Sequence, residues 1–428
     1  MVFLPHFPKT FSNNFSKDSA QKIRHILAKM NNPQKKMAPV IHIAGTNGKG
    51  STLAFLESIL RSKNLKINSY ISPHIHHVNE RIRINGRTIS DDYLFTLLEE
   101  VRFYCENDNL SLFEATTLAT ILAFLQNQSD YCLIETGMGG RVDATNALDN
   151  KIATILTNIS FDHQEYLGNS LKEIAAEKIK ITRRDIPCIC APSPAPILDF
   201  IKEFLQKNTI PSLIFGEDFA IKINDDESFN FSSQKINYQN LSKPKLPGWH
   251  QYVNASLAIA AANSFSDLTK EEINLGLENV NWPSRLEKLN CNLLGKEDEI
   301  YIDAAHNLEG MKIISDFLKE KIVDDYQANK PKRNYLIVGF SENKATPLFF
   351  RPFSEMIDFI CPIKVMGEPK SESSAKINEI IKESGINETQ SANSLNQAIK
   401  FLKNLDSQNP CRIVICGSIY LARDFKNL

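Results

Sequence analysis

The chain has 428 residues, of which 42% are hydrophobic and 23% charged, the balance of a folded protein and not of a disordered one. Its 49 Lys and Arg against 50 Asp and Glu leave a formal charge of −1, which excludes a global field for gripping nucleic acid or an anionic membrane. Eight Cys with no C-x-x-C pair are too sparse for a disulfide framework and fit a reduced compartment.

The N-terminal stretch has only Lys9 and Lys17 as cations and lacks the apolar core of a signal peptide, and no run of eighteen apolar residues occurs. The expectation is a cytoplasmic protein without a membrane span. Short β-rich runs then alternate with helix-period segments, which predicts α/β domains with mostly parallel sheets. Strands are expected at Val40–Ala44, 66–71, Tyr131–Glu135, 152–157 and 186–190, with helices at 52–63, 91–106 and 114–126. Residues 81–89 read as a hairpin, because alternating residues flank Asn85-Gly86. Ser170 and Glu173 have capping-box spacing and predict a helix through Lys180. The polar run 222–244 predicts a hairpin or an irregular excursion. After Trp282-Pro283 the pattern restarts, with strands at 301–302, 335–340, 359–365 and 412–417 and helices at 308–319, 374–384 and Leu395–Leu405. The expected division is 1–284 and 285–428, with a linker between Arg285 and Asp298.

The sharpest local signal is Gly45-Thr46-Asn47-Gly48-Lys49-Gly50-Ser51, which runs from an apolar strand into a helix. Glycines let backbone N–H groups approach phosphate oxygens, and the helix N-terminus favours anions. Lys49 would reach the terminal phosphates, and Ser51 would donate to phosphate or ligate Mg²⁺. The Walker pattern is met imperfectly: Ile43 stands five before Gly48, and Gly50 separates Lys49 from the hydroxyl. The bland alternative is a glycine-rich turn with a solvated lysine.

This loop resembles that of the Mur ligase superfamily, and more narrowly that of folylpolyglutamate and dihydrofolate synthases. The resemblance continues in order along nearly the whole chain. It takes in Ser72-Pro73-His74 with Glu80 to Gly86, Phe113-Glu114, and the run from Glu135 through Arg141 and Asp143 to Asn146. It goes on through Asp162-His163, Glu177-Lys178, His250-Gln251 with Asn254, Arg285, and Asp303 with His306 and Asn307. Ser284, Ala304, Leu308 and Lys180 depart from the family pattern, and 15–18 match only loosely the segment that closes over the pterin in bifunctional members.

The resemblance implies an N-terminal P-loop ATPase domain with a mostly parallel sheet and folate-site loops, and a smaller C-terminal Rossmann-like domain for glutamate ligation. It implies a bifunctional, monomeric ligase that adds L-glutamate to dihydropteroate and to tetrahydrofolate polyglutamates through an acyl phosphate. A chain with one of these activities, or another Mur-type amino-acid ligase, is the alternative. ATP and Mg²⁺, in two sites, are the implied cofactors, together with a monovalent cation. By the same resemblance Ser72, Glu135, His163 and a carbamylated Lys178 hold metal. Gly45 to Ser51, Asn254, Arg285 and Asp303 hold nucleotide. Lys49, Lys178, Arg285 and His306 act in catalysis, and Phe113, Glu114, Arg141 and Asp143 border the second substrate. A glutamate at a strand end beside phosphates suits Mg²⁺, which prefers oxygen donors. Periodicity alone does not separate Lys178 from Lys180, and a helix lysine paired with Glu173 or Glu177 is the bland alternative. His74, His76 and His77 read as solvated. A switch protein without ligase chemistry is a rival of a different class; no G-x-S-x-G supports a serine hydrolase.

Overall fold

The computed structural model describes residues 18–105, 109–368 and 370–425. Phe15, Ser16 and Lys17, on which most of the expected pterin segment falls, lie outside the described residues, as does Glu106 at the end of an expected helix. Among the described residues the chain divides into two compact units. One runs to Lys245 and from Trp249 to Asn281, and the other comprises Leu246–Gly248 and the chain from Trp282 onward.

The first unit is built on β1 (Val40–Ala44), β2 (Ile67–Tyr70), β3 (Ile82–Ile84), β4 (Arg87–Thr88), β5 (Tyr131–Glu135), β6 (Lys151–Leu156), β7 (Cys188–Cys190) and β8 (Ser212–Ile214). They lie in the order β4-β3-β2-β5-β1-β6-β7-β8, parallel except for the β2-β3-β4 meander at one edge. β1 is buried along its whole length, as a central parallel strand covered on both faces must be. The chain leaves β1 toward β2, on one side, but passes from β5 to β6 on the other. This reversal opens a crevice beyond the carboxyl end of β1.

Side chains alternate across a strand, so Val40, His42 and Ala44 share one face. Val40 belongs to an apolar cluster with the helices Ser19–Lys29, Asp91–Tyr104 and Leu112–Gln126. Ala44 belongs to another, with Leu171–Lys178 and Ala195–Lys207. His42 stands between them, at a polar seam. Elsewhere in the unit, helix Lys49–Ser62 packs on His250–Asn263 and Lys270–Asn279. A Cβ at Gly276 would come within 2.6 Å of the Ile59 backbone. The polar run read as a hairpin or irregular excursion is part of a three-stranded antiparallel sheet: β9 (Phe219–Ile223), β10 (Phe229–Ser233) and β11 (Asn237–Leu241). Phe219, Phe229, Phe231 and Leu241 supply its buried side.

The second unit carries β12 (Glu287–Leu289), β13 (Glu299–Ile302), β14 (Arg333–Val338), β15 (Phe359–Pro362) and β16 (Cys411–Cys416) in the order β12-β13-β16-β14-β15. Four strands are parallel and β12 pairs antiparallel to β13, so the sheet is mixed. Residues 285–298, read as a linker, thus contain an edge strand of this sheet. The expected α/β class holds for both units. No helix among the described residues is long and apolar enough to cross a membrane, and the eight cysteines are free thiols.

Candidate active site

The glycine-rich loop leaves β1 at the crevice. Gly48 caps helix Lys49–Ser62 at φ +87°, a conformation natural to glycine, and a Cβ there would come within 2.5 Å of Asn254 Oδ1. Thr52 Oγ1 also reaches Asn254 Oδ1, at 3.5 Å, while Asn254 Nδ2 donates to Gln251 Oε1 at 3.0 Å. The loop is tied to the end of β6 through Thr46 N–H to Asn158 O (2.7 Å), Thr46 Oγ1 to Ser160 O (3.0 Å) and Thr157 Oγ1 to Asn47 O (2.8 Å). Gly50 and Ser51 are buried in the first helical turn. Sequence reasoning did not single out Thr157 or Asn158; only β6 lying next to β1 reveals them.

Two lysines converge on this loop. Lys49 Nζ donates to Gly45 O at 3.3 Å and Thr46 O at 3.2 Å, and Lys178 Nζ donates to Gly45 O at 2.8 Å. Lys178 is 4% exposed, and burial, reinforced by the Lys49 ammonium, brings its pKa down from 10.5 to about 7. The Asp162 and Asp143 carboxylates oppose that shift. Lys178 does not pair with either helix glutamate: Glu177 binds Arg141 at 2.9 Å and Glu173 closes the capping box. The helix ends at Lys178 and continues as a 3₁₀ turn, Ile179–Ile181, so the expected α-helix through Lys180 is two residues shorter. Lys180 is exposed and lies over the Phe204 ring at 4.6 Å, away from the loop.

Glu135 ends β5 and accepts from Ser72 N–H at 3.1 Å. Thr136 Oγ1 and Asn158 Oδ1 are buried oxygens without a hydrogen-bond partner, and they flank the loop through Thr136 N–H to Ile43 O and the Asn158–Asn47 bridge. Oxygen donors of this kind fit a hard divalent cation. No group of three or more His, Cys, Asp or Glu among the described residues could hold a metal by itself. His163 adopts the left-handed conformation at φ +50°, rare for a residue with a side chain, and lies 3.7 Å from Asp162.

The expected second-substrate residues divide. Phe113 is half-buried beside Tyr70, with ring centroids 5.8 Å apart, and packs on Gly137, where a Cβ would come within 2.5 Å of the ring. Arg141 is half-exposed. Glu114 is buried and accepts from Ser111 N–H (2.7 Å), Ser19 Oγ (2.6 Å) and Lys22 Nζ (3.1 Å). Asp143 is likewise buried, accepting from Met138 N–H (2.9 Å), Thr145 N–H (3.0 Å) and the Thr145 hydroxyl. The hydroxyl proton goes to Asp143, so Thr145 Oγ1 accepts from His42 Nε2 at 2.8 Å. Burial, with the Lys151 ammonium nearby, holds the His42 pKa well below the usual range. The Glu114 carboxylate thus caps its own helix and ties it to Ser19–Lys29, while the Asp143 carboxylate holds the chain from Met138 to Thr145. His74, read as solvated, is half-buried and accepts from Arg81 Nε at 3.0 Å.

In the second unit Asp303 is buried and accepts from Leu286 N–H (2.8 Å) and Ala305 N–H (2.7 Å); burial raises its pKa despite the nearby Arg285. His306 Nδ1 donates to Ala304 O at 2.8 Å, which fixes its tautomer. Arg285 donates to Ser284 O at 2.7 Å and stands between two left-handed residues, Ser284 at φ +58° and Leu286 at φ +45°.

Residues 43–262, half of the chain, match the Mur ligase middle domain. The chain belongs to the Mur ligase family. Residues 287–428 of this Mur-type ligase match the dihydrofolate synthetase C-terminal domain, which places it in the folate-synthase branch of these ATP-dependent ligases. It is 29% identical over 429 residues to a dihydrofolate synthase/folylpolyglutamate synthase of Bacillus subtilis, covering 95% of this chain and 93% of the relative. It is 28% identical to a dihydrofolate synthetase of Saccharomyces cerevisiae, covering 94% and 95%. A folylpolyglutamate synthase of Mycobacterium tuberculosis complexed with ADP has the same fold, with a TM-score of 0.85 at 24% identity over 97% of this chain and 95% of that one.

Proposed function

We propose that this Mur-type ligase joins L-glutamate to a folate-type carboxylate, driven by ATP. The observation that carries the reading is the convergence of Lys49 and Lys178 on Gly45 O, at the loop where phosphate chemistry is expected, in a chain whose full-length relatives bear folate-synthase names. A carboxylate is a poor electrophile. Phosphoryl transfer to it gives an acyl phosphate that the glutamate amine attacks, with phosphate as the leaving group. Lys49 stabilises the charge that develops on the transferred group. The loop N–H groups hold the phosphates, and Asn254 orients the nucleotide against Gly48.

Mg²⁺ would supply further charge neutralisation on the phosphates. Glu135, Ser72, His163 and Lys178 are the residues that would hold it, with the orphaned Thr136 and Asn158 oxygens beside them. Carbamylation turns Lys178 from a cation into an oxygen donor and requires a neutral amine, which a pKa near 7 provides. Arg285, Asp303 and His306 are assigned to nucleotide binding and turnover. Phe113 and Arg141 are assigned to the folate-type substrate.

One relative is named for two activities and another for one, at similar identity, so the comparisons favour the broader reading over the bifunctional one. The test is ADP release from MgATP with L-glutamate and, separately, dihydropteroate, tetrahydrofolate or a UDP-muramyl acceptor. Release that requires glutamate and at least one pteroyl acceptor is expected. Turnover of both pteroyl acceptors would establish bifunctionality. Glutamate-independent release, or turnover of the muramyl acceptor alone, would overturn the proposal.

A further inference from the structure

Lys151 opens β6 in the protein interior, 3% exposed, and none of the roles assigned above uses it. Its Nζ donates to Asn146 Oδ1 and to Ile181 O, both at 2.8 Å. Arg183 also donates to Asn146 Oδ1, at 3.1 Å. With its oxygen facing two basic side chains, the Asn146 amide has one orientation, because a flipped Nδ2 would oppose donor to donor. Nδ2 therefore points the other way and donates to Arg141 O and to Lys180 O, each at 3.2 Å.

One amide thus bridges the turn after Gly140 to the chain just beyond Lys178, and Lys151 holds the following carbonyl itself. The seam is closed elsewhere by Arg141 N–H to Glu177 O at 2.9 Å. Gly140 sits so near that a Cβ would be 2.8 Å from both Glu177 O and Lys178 O. Burying an amine is costly, and an apolar residue would pack at lower cost, so the position calls for a function of the donor. The last carbonyls of a helical segment lack intrahelical partners and are where a cationic donor is most effective.

We propose that Lys151 and Asn146 are a positioning pair. They fix the end of the Leu171–Lys178 helix against the Gly139-Gly140-Arg141 turn, and thereby set where Lys178 Nζ meets the phosphate loop. The inference rests on the reading of Lys178 as part of the nucleotide site. Neither residue touches the reacting groups; both act through Lys178.

The test compares the full-length protein with Lys151→Met, Asn146→Ala and the double variant, by amide hydrogen exchange and by steady-state kinetics with ATP, L-glutamate and the pteroyl acceptor that the wild type uses. Peptides spanning 139–146 and 176–182 are expected to exchange roughly tenfold faster in each variant, while 40–52 is unchanged. Turnover should fall about tenfold with the KM for ATP within about twofold, and the double variant should be no worse than the worse single one. Unchanged exchange in Asn146→Ala would overturn the proposal. So would faster exchange with wild-type turnover, which would make the pair a structural clamp only, or additive losses in the double variant. If the wild type turned over neither pteroyl acceptor, the ligase reading would fall, and the exchange data would still decide whether the pair holds the helix end.

Discussion

Lys178 Nζ and Lys49 Nζ both donate to the carbonyl of Gly45, at 2.8 and 3.3 Å, although 129 positions separate the two lysines in sequence. Burial, reinforced by the Lys49 ammonium, holds Lys178 to about 7. On the proposed reading Lys49 is the residue that meets the transferred phosphate. Lys49→Ala should lower ADP formation by roughly a hundredfold or more, as loss of a charge-stabilising donor does. Its Nζ binds only its own loop, so the thermal midpoint should stay within about 2 °C. A variant that unfolds would assign Lys49 to the fold instead.

Lys178 also gives a pH signature. Its folded-state pKa is depressed from 10.5 to about 7, so between these values the unfolded chain holds more protons and stability rises with pH. Lys178→Met lacks this dependence. Its stability relative to wild type should therefore be greatest near pH 7 and below, and the gap should narrow toward pH 10. Urea unfolding at pH 7, 8.5 and 9.5, without bicarbonate, measures the gap. A gap independent of pH would contradict the depressed pKa.

Gly140 presses on the carbonyls of Glu177 and Lys178, so Gly140→Ala must push the turn off the helix end. A loss of about 1–3 kcal/mol is expected, as for overpacking. Turnover should fall with it, whereas Gly216→Ala, which meets no neighbour but strains a left-handed backbone at φ +88° outside the site, should cost stability and leave turnover unchanged.

Ser284 is buried in a left-handed conformation, and its hydroxyl has no hydrogen-bond partner. Ser284→Gly removes both costs and should stabilise the second unit by about 1 kcal/mol. Differential scanning calorimetry of the two proteins tests this; a lower midpoint in the variant would show that Ser284 contributes packing outweighing its strain.

The first sheet and its loop were legible because apolar runs and glycine spacing are local signals: Val40–Ala44 and Tyr131–Glu135 fall where they were expected. The polar strands from Phe219 to Leu241 were not evident as a sheet, because one face is solvated and a few residues, Phe219, Phe229, Phe231 and Leu241, mark the other. Lys178 and Lys180 differ by about 200° around a helix, yet periodicity could not say which faced the loop, since the covering strand lies more than a hundred residues away. Lys151 gave no signal at all. A lysine at a strand start reads as solvated, and its burial is explained by the Asn146 side-chain oxygen together with the Ile181 carbonyl thirty residues on.

The central claim is glutamate ligation through an acyl phosphate, and oxygen transfer tests it directly. The pteroyl acceptor that supports turnover is labelled with ¹⁸O in both oxygens of its reacting carboxylate and incubated with MgATP and L-glutamate, and the products are read by mass spectrometry. The account predicts one ¹⁸O in each inorganic phosphate released and one retained in the new amide, in equal amounts. Amide product with unlabelled phosphate would contradict it.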